Sequence, residues 1–286
     1  MKKIYTMLIC IIAILILSGC SNQEDKYNSG KEAMNNGDWN KAIECFTDIE
    51  YEDSKELLAQ CTKEKGMNEK SDYAFLDAMS KSIMKRYEVS EKTDDIEKCT
   101  AIELELIGKF KDAEFYDSEL RKLAIDYINA VELEKQSLTE SNGNKQLKYY
   151  EGHSKRFQIM QTLTDNYGLL ADNVDYKTNY YNNANKESER YSAYKLVEED
   201  LHKQLGDDLE CDYVDDATYR IKIKNNTEYD YDMMMHFIFY DADGTIVDTN
   251  EIYYEDIVAG KKYNLDFYFP VNAERFDYYT EEYFEF

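Results

Sequence analysis

Two hydrophobic periods run along the chain. Between residues 27 and 205, apolar residues recur every three or four positions, which is the spacing of one face of an α-helix. From residue 208 onward they alternate with polar residues, which is the spacing of a half-buried β-strand. We therefore predict an α+β fold with segregated parts: an N-terminal all-α hairpin and bundle, followed by a small C-terminal all-β domain.

The helical part divides into two predicted regions. In residues 27–66, Ala42, Phe46 and Ile49 recur at spacings of four and three, which predicts a helix pair with a third helix after it. Residues 71–205 are predicted to form a longer helical bundle. Its clearest apolar stripes are Leu120, Ala124, Tyr127, Val131 and Leu138 in one helix, interrupted by the polar Glu134, and Phe157, Met160, Leu163 and Tyr167 in another.

The C-terminal alternation predicts short strands. Five alternate positions from Tyr231 to Phe239 are apolar, and residues 241–245 have the composition of a hairpin turn. Residues 246–257 are predicted to form the next strand and residues 276–286 a last one. Strands of this length and spacing indicate a small β-sandwich over residues 208–286.

The first nineteen residues have the layout of a secretory signal. Lys2 and Lys3 precede an apolar run from Ile4 to Leu17, and small residues follow the run. The run is shorter than the roughly 20 residues that a transmembrane helix needs. We therefore predict that residues 1–19 are removed on export and that residues 20–26 form an anchor and linker.

The residues at the predicted cleavage point carry a family resemblance. Leu17-Ser18-Gly19-Cys20 resembles the lipobox of bacterial lipoproteins of the Gram-positive type. The resemblance implies cleavage between Gly19 and Cys20, a diacylglycerol on the Cys20 thiol, and a location on the extracytoplasmic face of the cell membrane. A plain secretory signal that happens to contain a cysteine is the alternative.

Two further resemblances concern folded regions. Gly30, Ala42, Phe46 and Ile49 resemble the helix pair of a tetratricopeptide repeat, although an Asp53-Ser54 pair, interpreted as a helix N-cap, replaces the usual proline. The run Phe237-Ile238-Phe239-Tyr240-Asp241, with the turns around it, resembles the FxLYD domain, with Phe239 in place of the named leucine. That second resemblance implies an immunoglobulin-like fold over residues 208–286 and no catalytic role.

The net charge limits the classes of binding partner, and the cysteines raise the question of a disulfide. The chain carries 59 acidic against 34 basic residues, a net charge of −25 that becomes −27 when Lys2 and Lys3 leave with the signal. Such a surface repels nucleic acid phosphates and favours cations or basic partners. An exported protein can form disulfides, so Cys45 and Cys61 are a candidate pair; the alternative is that both are buried apolar side chains. The oligomeric state stays open.

Catalytic and metal-binding patterns are not evident in the sequence. The three histidines, His153, His202 and His236, lie in different predicted elements, and no zinc, calcium or phosphate-loop spacing is present, so we expect no metal and no cofactor besides the lipid. We expect a non-catalytic protein-interaction or scaffold module of the cell envelope that binds an unidentified envelope protein. The alternatives are a solute- or cation-binding lipoprotein and, after that, an envelope enzyme. Trp39 and Phe46 are the candidate partner-binding residues, unless both belong to the core.

Overall fold

The structure is a computed structural model that describes residues 22–90, 92, 95–140, 143–206, 211–215 and 217–283. The chain divides into two compact units. The first takes its residues from Met1–Asp77 and Asp112–Lys122, and the second from Ala78–Lys111 and Leu123–Phe286. Helices come first and antiparallel sheets follow them, which confirms the predicted α+β class.

The helical elements begin at residue 22 within the described part of the chain. They are α1 (22–35), α2 (Trp39–Phe46), α3 (Ser54–Glu69), α4 (Asp72–Ser90), α5 (Ile96–Ile107), α6 (Ser118–Ser137), α7 (Gly143–Tyr167), α8 (Val174–Asn179) and α9 (Ala184–Leu205), with short 3-10 turns at Gly108–Asp112 and Tyr181–Asn183. The strands are β1 (Asp212–Asp215), β2 (Thr218–Lys224), β3 (Tyr231–Tyr240), β4 (Ile246–Ile257), β5 (Lys262–Tyr268) and β6 (Arg275–Tyr283).

The first unit contains the predicted helix pair. Gly37, with a φ of 71°, makes the turn between α1 and α2, and the Asp38 carboxylate caps α2 by accepting the Lys41 N–H at 3.0 Å. A Cβ at Gly30 would lie 2.7 Å from the Phe46 ring, so a glycine lets the two helices approach closely. Phe46 of α2 therefore packs against the small residue of the preceding helix.

The start of α3 differs from the prediction. Asp53 occupies the N-cap position, but its carboxylate makes no bond to the helix and instead accepts the Tyr27 hydroxyl at 2.6 Å. The Ser54 hydroxyl donates to Ile49 O at 3.1 Å and accepts the Tyr51 N–H at 3.3 Å. The Asp53-Ser54 pair thus fixes the preceding loop rather than capping the helix.

The helical half of the second unit packs along the predicted stripes. Tyr127 and Val131 of α6 and Met160 and Leu163 of α7 have no exposed area. A Cβ at Gly152 of α7 would lie 2.6 Å from Ala130 O of α6, so this glycine permits the closest approach of the two backbones. The residue predicted as a polar break, Glu134, is also fully buried, and its partners are described below.

Two three-stranded antiparallel sheets form the C-terminal half of the second unit. Their strand orders are β1-β2-β5 and β4-β3-β6. All five predicted inward positions of β3 are buried, and the Phe237 ring stacks on Phe267 of β5 with centroids 4.4 Å apart, which joins the two sheets. β1 was not predicted, because its four residues are all exposed and show no alternation of apolar and polar side chains.

The last helix shares its core with the strands. Val197, Leu201 and Leu205 of α9 belong to the same buried cluster as the inward residues of β2, β3 and β5. The Gln204 side chain donates to Lys224 O and accepts the Lys224 N–H, both at 2.7 Å, at the end of β2. The helix is thus fixed to the sheets by both apolar burial and hydrogen bonds.

No helix among the described residues combines the length and the apolar character needed to cross a bilayer.

Candidate functional site

Four charged side chains meet inside the helical half of the second unit. They are Arg86 of α4, Glu103 of α5, Glu134 of α6 and Arg156 of α7, and with Tyr127 of α6 we call them the buried charge cluster. Both glutamates and Tyr127 are fully buried, and Arg156 is 1% exposed. Charged groups are almost never buried to this extent unless they are paired.

The four charges alternate in sign around a ring. Arg86 donates to Glu103 Oε2 at 2.5 Å, and its Nη2 lies 2.9 Å from Glu134 Oε2. Arg156 donates to Glu134 Oε1 at 2.9 Å and to Glu103 Oε1 at 3.2 Å. The Arg86–Glu134 contact does not meet hydrogen-bond geometry, so that carboxylate oxygen is held by charge alone. Each charge therefore contacts two of opposite sign, and the ring is neutral.

Tyr127 lies beside the ring. Its hydroxyl donates to Glu103 Oε1 at 2.5 Å and accepts from Arg156 Nε at 3.3 Å. The guanidinium of Arg156 also lies over the Tyr127 ring, 5.6 Å from its centroid. The tyrosine thus supplies a further acceptor for an arginine whose five N–H groups all need partners in the absence of water.

Burial and charge act in opposite directions on the groups of the cluster. Burial alone would raise the pKa of Glu134, but Arg156 and Arg86 outweigh it and hold that pKa well below its ordinary value. Burial raises the pKa of the Tyr127 hydroxyl well above its ordinary value. Burial alone would lower the pKa of Arg156, but Glu103 and Glu134 outweigh it and hold that pKa above its ordinary value. These three groups keep one protonation state at ordinary pH, which does not suit general acid–base catalysis.

His153 of α7 lies at the margin of the cluster. Its Nδ1 is 3.1 Å from Glu134 Oε1, and its Nε2 is 3.8 Å from Glu187 Oε2 of α9. The imidazole stacks on Tyr149 with centroids 5.2 Å apart and lies against Phe157 at 4.7 Å. Through His153, the cluster reaches a fifth helix, so its arrangement suits holding helices in register.

Sequence reasoning found only part of this cluster. Glu134 stands out as a charge at a buried position of an apolar stripe. Arg156 was not singled out, although it precedes Met160 by four residues and so lies on the same helix face. A search for charges at stripe positions would have found both residues, but pairing them across helices requires the tertiary structure.

The predicted partner-binding residues lie in the first unit. Phe46 is 1% exposed, and its ring packs edge-on against Tyr27 with centroids 6.0 Å apart. Trp39 is half-buried at the margin of the same apolar cluster. Phe46 is therefore a core residue, as the alternative stated, and only part of the Trp39 ring is accessible on this surface.

Of the cysteines named in the sequence analysis, the structure describes Cys45 and Cys61 but not Cys20. Cys45 of α2 and Cys61 of α3 are both buried and carry free thiols, and burial raises the pKa of the Cys61 thiol. Gly19 and Cys20 lie outside the described residues, so cleavage and lipidation remain predictions. Within the described ranges, no group of three or more His, Cys, Asp or Glu side chains could hold a metal ion.

His236 of β3 lies on the outer face of its sheet, between the inward Met235 and Phe237, and is only 8% exposed. Its ring stacks on Tyr279 of β6 with centroids 4.3 Å apart, and its Nδ1 lies 3.1 Å from Glu251 Oε1 of β4. It therefore ties the three strands of the second sheet together beneath the Tyr279 ring.

A solvent-open groove of about 590 Å³ runs between the last helix and the last strand, and we call it the α9–β6 groove. One wall consists of residues between Glu198 and Gly206, and the other of Phe276–Thr280. Both walls belong to the second unit. The groove is lined by carboxylates, by aromatic rings and by the last strand of the second sheet.

A buried acid lies beyond one end of this strand wall. Glu282 of β6 is 2% exposed, and neither carboxylate oxygen has a partner that meets hydrogen-bond geometry. Burial raises the pKa of Glu282, and the hydroxyls of Thr280 and Tyr194 lower it only in part. The folded state thus favours the protonated carboxyl.

We expect Glu282→Gln to stabilise the protein near neutral pH, by about 1 to 2 kcal/mol, because it removes a buried negative charge whose two oxygens lack hydrogen bonds of good geometry. The folded pKa lies above the unfolded one, so the wild type loses stability as pH rises from about 4 through the folded pKa. The advantage of the variant should therefore grow with pH. Urea unfolding at pH 4.5 and at pH 7.5 measures it. The neighbouring, more exposed Glu281→Gln should show no such trend; an equal trend in both variants would contradict this account.

Comparison of the chain with models of protein families, with curated protein sequences and with solved structures finds no match. The three resemblances drawn from the sequence therefore remain hypotheses.

Proposed function

We propose that the protein is a lipid-anchored lipoprotein of the extracytoplasmic face of the cell membrane, and that its folded part is a non-catalytic protein-interaction module. The observation that carries the proposal is the sequence Leu17-Ser18-Gly19-Cys20 directly after an apolar run of less than membrane-spanning length. Two acyl chains on Cys20 would hold the chain on a membrane, since each buried methylene contributes about 0.8 kcal/mol.

The folded part supports a binding role through the kind of site it offers. Its most unusual charged cluster is sealed inside the bundle and keeps fixed protonation states, so it serves the architecture. What the second unit presents to solvent is a groove between its last helix and its last strand. Surfaces of that kind recognise other chains.

We further propose the finer assignments that the sequence resemblances imply. The helix pair and third helix predicted over residues 27–66 would be of the tetratricopeptide type, which agrees with the close contact of Gly30 and Phe46. The two three-stranded sheets would form an immunoglobulin-like sandwich of the FxLYD type, which agrees with the aromatic core shared by Phe237 and Phe267. A solute- or cation-binding lipoprotein is the second candidate, and the net charge of −25 favours a cation as its ligand.

Anchoring is tested with Cys20→Ala in the full chain, expressed in a bacterial host that processes lipoproteins. We expect loss of incorporated alkyne-labelled fatty acid and release of the protein from the membrane fraction, because the alanine offers no thiol to acylate. Cys10→Ala, the same change within the apolar run, is the matched control and should keep both label and membrane association. Unchanged labelling and membrane association of Cys20→Ala would refute the anchor.

The interaction role is tested separately by crosslinking in intact cells. We expect the wild-type chain to be crosslinked reproducibly to a particular envelope protein with a basic surface. The Cys20→Ala chain, released from the membrane, should lose that product if the anchor places the module beside its partner. A crosslinking pattern without any preferred product would contradict the interaction role.

A further inference from the structure

His236 of β3 lies between two carboxylates on the outer face of the second sheet. Its Nδ1 is 3.1 Å from Glu251 Oε1 of β4, and its Nε2 is 3.7 Å from Glu281 Oε2 of β6. The residue is 8% exposed, and Nε2 is buried with no hydrogen-bond partner in the described chain. Leaving such a buried polar atom unengaged costs free energy, so this nitrogen calls for a ligand.

The contact with Glu251 assigns the proton of the imidazole. A neutral imidazole carries one N–H, and the hydrogen bond to Glu251 places it on Nδ1. Nε2 then directs a lone pair toward the Glu281 carboxylate, which has only acceptor oxygens. The two groups can approach each other only around a positive charge. A carboxylate that accepts the other N–H of an imidazole is also the usual support of a metal-binding histidine.

The separation of Nε2 and Glu281 Oε2 suits two ligands of one ion. At 3.7 Å it exceeds the about 3.2 Å limit of an ordinary N–H···O hydrogen bond, so an imidazolium would leave its second N–H unbonded. Two ligand bonds of about 2.1 Å span this distance when they meet at about 120°. The Tyr283 hydroxyl donates to the same Glu281 oxygen at 2.8 Å, which orients the carboxylate as second-shell hydrogen bonds do in metal sites.

Met234 offers a third donor on the same face of the sheet. It lies directly opposite Glu281 in the β3–β6 register and two residues before His236, so these side chains leave the sheet on its outer side. A thioether sulfur is a ligand for copper. Only two of the three donors are His, Cys, Asp or Glu side chains, which agrees with the absence of larger groups of that kind from the described ranges.

The charge around the site distinguishes it from the other buried histidine. His153 also lies between two carboxylates, but arginines form ion pairs with both of them. Within the described chain, Glu251 and Glu281 form ion pairs with His236 alone. The site at His236 therefore keeps an uncompensated negative charge, which attracts a cation.

We propose that His236 Nε2 and the Glu281 carboxylate, with the Met234 thioether as a weaker third ligand, bind one divalent transition-metal ion, Cu²⁺ more tightly than Zn²⁺. Cu²⁺ comes first because it forms the most stable complexes among the divalent first-row ions. The Glu281 side chain is 30% exposed, so water completes the coordination. The inference goes beyond the proposed interaction module and gives the cation-binding alternative a defined site.

The test uses the mature, untagged protein, extracted from membranes in a non-ionic detergent, with Cu²⁺ as the probe. One Cu²⁺ should bind per chain, and its electron paramagnetic resonance spectrum should show coupling to a single imidazole nitrogen. His236→Gln should abolish that coupling. His202→Gln, which removes an exposed histidine of α9, is the matched control and should leave it unchanged. Circular dichroism establishes that each variant is folded.

The carboxylates test the site while the imidazole stays in place. Glu281→Gln should weaken Cu²⁺ binding by more than about tenfold, because it removes a charged ligand. Glu251→Gln should weaken it by about 10- to 100-fold, because the imidazole loses the group that orients it. Met234→Leu keeps the volume of the side chain and should weaken binding less than Glu281→Gln does. Glu255→Gln removes an exposed carboxylate of the same strand as Glu251 and should bind as the wild type does.

Three outcomes would overturn the proposal: no saturable binding at about 1 mM Cu²⁺, nitrogen coupling that persists in His236→Gln, or equal losses in Glu281→Gln and Glu255→Gln. The last outcome would show attraction of cations to an acidic surface in general. These failures would leave the anchoring result of Cys20→Ala untouched, because the assay uses purified protein. Conversely, a Cys20→Ala chain that keeps its lipid would refute the location without altering Cu²⁺ binding.

Discussion

Arg156→Met is expected to lower the free energy of unfolding by about 3 to 5 kcal/mol. The methionine fills a similar volume, so the cost comes from charge rather than from a cavity. Without Arg156, Arg86 is the one arginine left for the carboxylates of Glu103 and Glu134, and the Tyr127 hydroxyl loses a donor. An excess negative charge would then remain in a part of the bundle that water does not reach. The shift of the urea midpoint, at an unchanged m-value, measures the loss.

A matched control exists on the surface of the β-sheets. Arg220 of β2 makes two hydrogen bonds to Asp266 of β5, at 2.6 and 2.7 Å, but its side chain is 32% exposed. Because solvent screens this pair, Arg220→Met should cost at most about 1 kcal/mol. Similar losses for Arg156→Met and Arg220→Met would show that the buried charge cluster contributes no more than a surface ion pair.

A second variant separates charge from packing. Combining Arg156→Met with Glu103→Gln leaves one arginine and one glutamate, Arg86 and Glu134, 2.9 Å apart, so the cluster is neutral again. The double variant should therefore be more stable than the sum of the two single changes predicts, by an interaction free energy on the order of 1 kcal/mol or more. Strict additivity would indicate that lost packing, rather than unbalanced charge, explains the cost of Arg156→Met.

The apolar periods of the sequence predicted much of the fold. The inward residues of β3 and most stripe residues of α6 and α7 are buried where the periods place them, because one face of each element must leave water. Leu138, which follows the end of α6, and Tyr167, the last residue of α7, are only half-buried. The strand predicted over residues 246–257 coincides with β4. These successes share a physical cause: the signal is local, and burial of a whole face overrides the preferences of individual residues.

The parts that escaped prediction depend on distant partners. Asp53 was interpreted as a helix cap from its position, but the Tyr27 hydroxyl, 26 residues away, engages its carboxylate. Gly152 carried no signal of its own, because its role depends on the backbone of Ala130 in a neighbouring helix. The α9–β6 groove likewise joins a helix and a strand that lie about 75 residues apart, a pairing that no single stripe encodes.

Asn225→Ala is expected to destabilise the second unit by about 3 to 4 kcal/mol, a large effect for a residue that the sequence presents only as part of a turn. Asn225 is fully buried. Its side-chain amide donates to Tyr229 O at 2.7 Å and to Ile257 O at 2.9 Å. Its side-chain oxygen accepts the Thr227 N–H at 2.9 Å and the Thr227 hydroxyl at 2.7 Å.

The lost stability of Asn225→Ala comes from the former hydrogen-bond partners of the Asn225 side chain. The carbonyls of Tyr229 and Ile257 and the N–H of Thr227 would each lose one hydrogen bond, and the methyl group of alanine offers no replacement. Two backbone hydrogen bonds of Asn225 do not depend on its side chain. Its N–H donates to Lys261 O, and its C=O accepts the Gly260 N–H. The turn should therefore still form, but the start of β3 and the end of β4 should lose stability together.

The adjacent Asn226→Ala provides the matched comparison. Asn226 is exposed, and only its bond to Asp200 Oδ1, at 3.0 Å, depends on the side chain, so we expect a loss of at most about 1 kcal/mol. Urea unfolding compares the two variants, and hydrogen exchange at Tyr231 and Ile257 reports whether the damage is local. If Asn225→Ala costs no more than Asn226→Ala, the buried amide does not hold the two sheets at this turn, because four hydrogen bonds of a fully buried side chain cannot be lost without a larger effect than one exposed bond.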